Sequence, residues 1–258
     1  MLRFGGANVQ FRVLGPFQIV GERGIYTPTA SKVRQVMALL VLRANHIVSL
    51  DAIIEELWGE KPPKSAITTA QTYIYQLRKR FPPPGSEESA RGLLSTLAPG
   101  YLLRVEDAEV DAFVFSQLLD RARALYGGGQ LGIAGRALNE ALAMWSGPIL
   151  ANVACGPLLR SYAAHLEEER MTALELRVGV EMEMGRHRET IAELKTLTSQ
   201  YPLNEWLHGQ LILALSRSGR RGEALRSYQE VRTMLRSELG LDPSAELQEI
   251  HRTVLTAR

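Results

Sequence analysis

The chain has 258 residues, 45% of them apolar, and a formal net charge of +2, which suits one large or two medium globular domains with a real core. Its longest apolar run, VMALLVL at 36–42, is far too short to cross a bilayer, and MLRFGGANVQF lacks the apolar stretch and small-residue cleavage site of a secretory leader, so a cytoplasmic protein is expected. A single cysteine, Cys155, excludes an internal disulfide and is expected as a small buried hydrophobe.

The charge is unevenly spread. Residues 1–104 hold 13 Lys+Arg against 7 Asp+Glu, whereas residues 105–258 hold 17 against 21. A basic first part followed by an acidic second part predicts two domains, the first with a polyanionic partner. The expected boundaries are 9–105 and 111–258.

VQFRVLGPFQIV, 9–20, predicts two short strands around Gly15-Pro16, and GIYTPT, 24–29, a third. Ser31 is the expected N-cap of a helix buried through Val33, Val36, Met37, Leu40 and Val41. IVS, 47–49, is a brief extended link before a second helix, 50–59, with Leu50, Ile53, Ile54 and Leu57 inward. KPPKS, 61–65, forces a break, because proline has no N–H to give a helix.

TTAQTYIYQLRKRF, 68–81, then places Ala70, Ile74, Leu77 and Phe81 on one helical stripe. Its other face carries hydrogen-bonding groups, an aromatic and positive charge, and no acid lies between Glu60 and Glu87. PPPG at 82–85 stops this helix. LLSTLAPGYLLRV predicts a hairpin in which Pro99 and Gly100 take the centre of a type II turn. The order of strands, three helices and hairpin is that of a winged helix-turn-helix whose third helix reads a DNA groove. Thr68, Thr69, Gln71, Thr72, Tyr75 and Gln76 suit base edges, while Arg78, Lys79 and Arg80 suit phosphates. Lys64 ahead of the helix and Tyr101 in the hairpin complete the candidate DNA contacts.

The second region has helical periodicity throughout, with expected helices at 111–126, 130–145, 157–184, 186–200, 204–218, 221–239 and 243–256. The stretch 157–184 is long enough to predict a break. EMEMGRHRETIAEL, 181–194, aligns with LSRSGRRGEALRSY, 215–228, at an offset of 34 residues, the period of tetratricopeptide helix hairpins. Gly185-Arg186 matches Gly219-Arg220, Glu189 matches Glu223, and Leu194 matches Tyr228. ALNEALAMWSGP looks like a degenerate earlier repeat with a Trp145 anchor. The expected fold is therefore an α+β winged helix-turn-helix domain followed by an all-α TPR-like repeat domain.

Other signals carry no chemistry. GGGQLG, 127–132, fits G-x-G-x-x-G but lies between helices rather than in a βαβ unit, so it is read as an inter-helix loop. His46, His165, His187, His208 and His251 form no HExxH motif and have no cysteine partners. No catalytic residue, metal site or cofactor is expected. Trp206 and Tyr228 are read as core.

Together these residues resemble the Streptomyces antibiotic regulatory protein family of transcriptional activators. AQTYIYQLRKRF resembles the recognition helix of the OmpR-type winged helix, and PGYLLRV its wing. DAFVF at 111–115, WSGP, GRHRETIAEL, YPLNE and GRRGEALRSYQEVRTMLRSELGLDPSAEL resemble its bacterial transcriptional activation domain. The resemblance covers about residues 11–256. It implies activation of an antibiotic or similar secondary-metabolite gene cluster, through binding of promoter DNA at direct repeats near the −35 element, with a homodimer on the repeats. It also implies recruitment of the RNA polymerase holoenzyme, sigma factor and core subunits, with Trp58, Glu60, Lys61 and Lys64 of WGEKPPKS as contacts. A nucleoid-associated cytoplasmic protein would follow. The sequence shows no receiver domain ahead of the winged helix, so control by two-component phosphorylation is not expected. Tyr75-Gln76 stands where the family often has Ser-Arg, which predicts an altered base preference. The alternative reading is a helical-repeat adaptor whose winged helix serves protein contacts only.

Overall fold

A computed structural model describes residues 9–21, 24–80 and 93–256. Residues 81–92, including Phe81 and the PPPG stop, lie outside the described residues. The chain divides into two compact units. One runs to Asp120 and adds Glu140–Met171; the other comprises Arg121–Asn139 and Thr172 onward.

The first unit opens with β1 (Gln10–Arg12), β2 (Gln18–Gly21) and β3 (Gly24–Ile25), an antiparallel sheet in that order. The third strand is shorter than the sequence suggests. Tyr26 N–H still reaches Ile19 O at 2.9 Å, but the Thr27 hydroxyl then takes the Ile19 amide at 3.2 Å, and Pro28 has no donor to continue the ladder. Helix α1 (Ser31–Leu42) begins one residue earlier than expected: Ala30 holds the N-cap position, without a side-chain cap, and its carbonyl accepts from Arg34 N at 3.0 Å. The segment 47–49 is a strand in its own right, β4 (Ile47–Ser49). Ser49 then caps α2 (Leu50–Trp58) by accepting from Ala52 N at 3.1 Å. Helix α3 (Ala66–Arg80) follows. Helix α1 packs on both α2 and α3, burying Val33, Val36, Met37, Leu40 and Val41 with Ile53, Leu57, Ala70, Ile74 and Leu77.

β5 (Leu94–Leu97) and β6 (Gly100–Leu103) form the hairpin, with β6 central in the sheet order β4-β6-β5. Leu97 pairs with Gly100, so Ala98 and Pro99 are the two loop residues, and the expected type II turn centred on Pro99-Gly100 is replaced. Gly100 is required for a different reason. It pairs with Ser49, and a Cβ there would collide with the Val48 carbonyl oxygen.

The same unit includes the start of the helical region. Asp111, first residue of α4 (Asp111–Gly127), accepts from Val13 N at 2.8 Å and Leu14 N at 3.1 Å, and burial pushes its carboxyl above the usual range against the pull of these amides. Asn152 holds both the amide and carbonyl of Phe17, at 2.7 and 3.1 Å, and Ser146 N reaches Leu14 O at 2.8 Å. Phe115 meets Trp145 edge-on at 5.4 Å, and Arg170 lies over the same indole.

Helix α6 (Pro157–Glu183) starts here and runs 27 residues without the expected break. Pro157 suits its first position, where no N–H is needed. The free amides that follow are taken by Glu56 of α2, which is only 2% exposed. Its Oε2 accepts from Leu158 N at 2.9 Å and Leu159 N at 3.0 Å, and its Oε1 from Gly156 N at 2.5 Å and Gln35 Nε2 at 2.8 Å. Gly156 passes so close that a Cβ would strike the Glu56 carbonyl. Cys155 is half-buried rather than buried, and its thiol is pushed up by burial and by Glu56.

The second unit is built from helix hairpins, with α7 (His187–Gln200), α8 (Glu205–Arg217), α9 (Arg221–Leu239) and α10 (Ala245–Thr256) joining parts of α4, α5 (Leu131–Ala143) and α6. The 34-residue repeat is present in the backbone. Gly185 and Gly219 both have left-handed φ, 76° and 79°. Arg186 N bonds Glu181 O, and Arg220 N bonds Leu215 O, at matching positions. The turn at Gly129 repeats the device, with φ 72° and Gln130 N on Leu125 O. GGGQLG is thus an inter-helix turn, and α4–α5 is a third hairpin. Tyr228 is core, stacked on His251 at 3.8 Å, whereas Trp206 is 37% exposed.

Replacing Glu56 by Ala leaves one buried and two part-buried amides without their acceptor and is expected to lower stability by about 3 kcal/mol. Urea denaturation should show it as a lower midpoint, while Glu60→Ala, in an exposed loop, leaves the midpoint unchanged.

Candidate nucleic-acid interface

Four side chains anchor α3: Ala66, Ala70, Ile74 and Leu77 are all buried. Thr68, Gln71, Thr72, Tyr75 and Lys79 are exposed on the opposite side, with Tyr75 at 64%. At 100° per residue they fall on one continuous arc with Tyr75 near its middle. Thr69 and Gln76 are half-buried at its margin. Thr72 donates its hydroxyl proton to Thr68 O at 2.8 Å, which leaves its methyl and an acceptor lone pair for a partner. The side chain of Arg80 lies outside the described residues. Lys64 is exposed just before the helix.

Two sequence assignments change. Arg78 is not a free phosphate ligand: its Nε donates to Leu94 O at 3.0 Å and its terminal amine to Thr96 Oγ1 at 2.8 Å, both on β5. The guanidinium also lies 5.7 Å from the Tyr101 ring centroid. Tyr101 is only 8% exposed on the central strand, so it supports Arg78 instead of presenting a contact surface. Arg78 therefore fixes the hairpin against α3. The sequence could not show this, because an arginine at the edge of a basic helix looks the same whether it meets phosphate or a neighbouring strand.

The turn between α2 and α3 presents a second exposed surface. Gly59 has φ 58°, which turns the chain out of α2, and Glu60, Lys61, Pro62, Pro63 and Lys64 are exposed while Trp58 is half-buried. Sequence reasoning missed the residues that hold α2 from behind. Lys32 Nζ donates to Leu57 O at 2.6 Å and to Gln35 Oε1 at 3.2 Å, and Gln35 bonds both the carbonyl and carboxylate of Glu56. A glutamine amid the apolar stripe of α1 was the available signal.

The family profile for the bacterial transcriptional activator domain matches residues 110–255, and that for the C-terminal domain of transcriptional regulatory proteins matches 27–103. The chain belongs to the Streptomyces antibiotic regulatory protein family of transcriptional activators. It is 37% identical to the regulatory protein DnrI of Streptomyces peucetius over 96% of this chain and 93% of that one. The transcriptional regulator RedD of Streptomyces coelicolor is 35% identical, with 99% and 72% covered. The regulatory protein AfsR of Streptomyces coelicolor is 34% identical, but the chain spans only 24% of its length. A solved structure of Mycobacterium tuberculosis EmbR in complex with a low-affinity phosphopeptide superposes with a TM-score of 0.89 at 32% identity, covering 97% of this chain and 65% of that one. The chain is a transcriptional activator and not an enzyme. Among the described residues no helix is long and apolar enough to cross a membrane.

Arg78→Ala should free the hairpin from α3, at a cost of about 1–2 kcal/mol. Hydrogen exchange should rise at amides of 94–103 more than in α8, a pattern that global destabilisation would not give.

Proposed function

We propose that the exposed face of α3 lies in the major groove of promoter DNA and selects the sites at which this activator acts. The observation that carries this reading is the arc of Thr68, Gln71, Thr72, Tyr75 and Lys79, exposed together and with no acid among them. Such an arc offers donors and acceptors to base edges, whereas an acid would be repelled by the phosphate backbone. The sites are short direct repeats near the −35 element of a secondary-metabolite gene cluster, of the antibiotic type. Repeats about one helical turn apart, ~10.5 bp, set two copies on one side of the duplex, as a homodimer formed there. The loop at Trp58, Glu60, Lys61 and Lys64 meets the RNA polymerase holoenzyme through its sigma factor and core subunits. The protein works on the nucleoid in the cytoplasm.

Within α3 the work is divided. Gln76 and its neighbours choose the base, and Lys79 holds phosphate. Gln76→Ala is expected to lose about 1–3 kcal/mol of discrimination between the operator and a one-base variant, while Lys79→Ala weakens every duplex alike and reduces the salt slope by about 1. Mobility-shift titrations of the promoters beside the gene, at several salt concentrations, measure both. Equal effects of the two changes would remove the division of labour, and absent or salt-insensitive binding would favour the adaptor reading.

A further inference from the structure

One exposed residue at the margin of the proposed reading arc, about 40° beyond Gln71, does not belong with the rest chemically. Ile67, in the first turn of α3, is 55% exposed, and its immediate exposed neighbours are Lys64, Ser65, Thr68 and Gln71. It is set beside polar and cationic groups, with no adjoining exposed aliphatic side chain on α3 to make an apolar patch. A lone aliphatic group there would be unremarkable on an ordinary surface. On a groove-reading helix it has a specific counterpart, because the thymine C5-methyl is the apolar feature that distinguishes base pairs in the major groove. The first turn of a reading helix is also where side chains meet base edges.

We propose that Ile67 is a specificity-determining residue that packs against a thymine methyl in the operator. Gln71 stands one turn further along on the same side of the arc, about 6 Å away along the axis. That is close to two base steps of ~3.4 Å each. Ile67 thus selects a thymine, and Gln71 hydrogen-bonds the edge of a nearby base. The hydroxyl proton of Thr72 is already engaged with Thr68 O, which leaves Ile67 and Gln71 as side chains in the first turns of α3 with no bond within the helix to give up. This inference depends on the DNA-reading face proposed above.

Deoxyuridine lacks only the C5-methyl of thymidine, so it tests the contact without altering any hydrogen bond. Each thymine of a footprinted operator is replaced singly by deoxyuridine, and binding of the full chain is titrated for the wild type, Ile67→Val and Ile67→Ala. One thymine in each repeat should weaken wild-type binding about fourfold when its methyl is removed, the worth of one buried methyl. Ile67→Ala should bind the unmodified operator more weakly by a similar or larger factor and lose all sensitivity at that thymine. Ile67→Val should retain part of it. Since Ile67 is exposed, the thermal transitions of both variants should match the wild type. If the wild type and Ile67→Ala respond identically to every deoxyuridine, the assignment is overturned. It is also overturned if Ile67→Ala binds normally but fails to activate transcription in vitro, which would make Ile67 a protein contact. A wild-type chain that binds no promoter duplex at all would instead overturn the DNA-reading function on which this rests.

Discussion

The buried carboxylate of Glu56 is the constraint on which the arrangement of the first unit depends. It projects from α2, the helix just before the exposed turn and α3, and it satisfies the amides at the head of α6. A helix start buried without such acceptors would be costly. The winged helix and the beginning of the activation region are therefore one packed body, and α2 cannot shift without exposing or orphaning those amides. Asp111 and Asn152 repeat the principle at the N-terminal sheet, where side chains from the helical region take up the backbone groups of Val13, Leu14 and Phe17. The matched turns at Gly129 and Gly185 lie 56 positions apart, 22 more than the 34-residue period. The extra length falls between α5 and the middle of α6. It contains Ser146 and Asn152, which bond the segment between β1 and β2, and Gly156 and the head of α6, which bond Glu56. The longer spacing between these two turns thus carries the residues that clamp the segments before it.

The exposed face of α3 follows from the same packing. Burying Ala70, Ile74 and Leu77 against α1 leaves α3 only one arc to present. That arc is polar and carries no acid, the composition that the proposed contact with base edges and phosphates needs. Arg78 links α3 to β5 with a forked geometry that a lysine could not reproduce. The hairpin is therefore set in register with the helix, a preorganisation that would lower the ordering entropy lost in the proposed binding of DNA.

Much of this was legible in the sequence, and the pattern of what was not is informative. Local signals worked: the 3.6-residue stripe of α3, the Pro-bounded turn and the 34-residue offset each depend on neighbours in the chain. The misplaced details depend on partners far away. Glu56 carries no signal of its burial in the sequence, since nothing within ten residues reveals that Gly156 and Leu158 lie against it. Arg78 and Tyr101 read as DNA contacts because a cation and an aromatic near a reading helix have that chemistry; only their pairing across α3 and the hairpin reassigns them. Gly100 suggested a turn conformation, while its actual role is close approach to Val48. The expected break in 157–184 assumed a typical helix length, whereas α6 is sustained by packing in both units. Ile67 carries no signal in the sequence, because a single aliphatic side chain in a first helical turn looks the same buried or exposed.

The account turns on α3 reading the major groove, and methylation interference tests that most directly. Dimethyl sulfate places a methyl on guanine N7, which faces the major groove, and on adenine N3, which faces the minor groove. The account predicts that methylated guanines within each direct repeat are strongly depleted from the bound fraction of promoter duplex, on one side of the helix. Complexes that form equally well on guanine-methylated duplexes, or that are disturbed only by methylation of adenine N3, would contradict it.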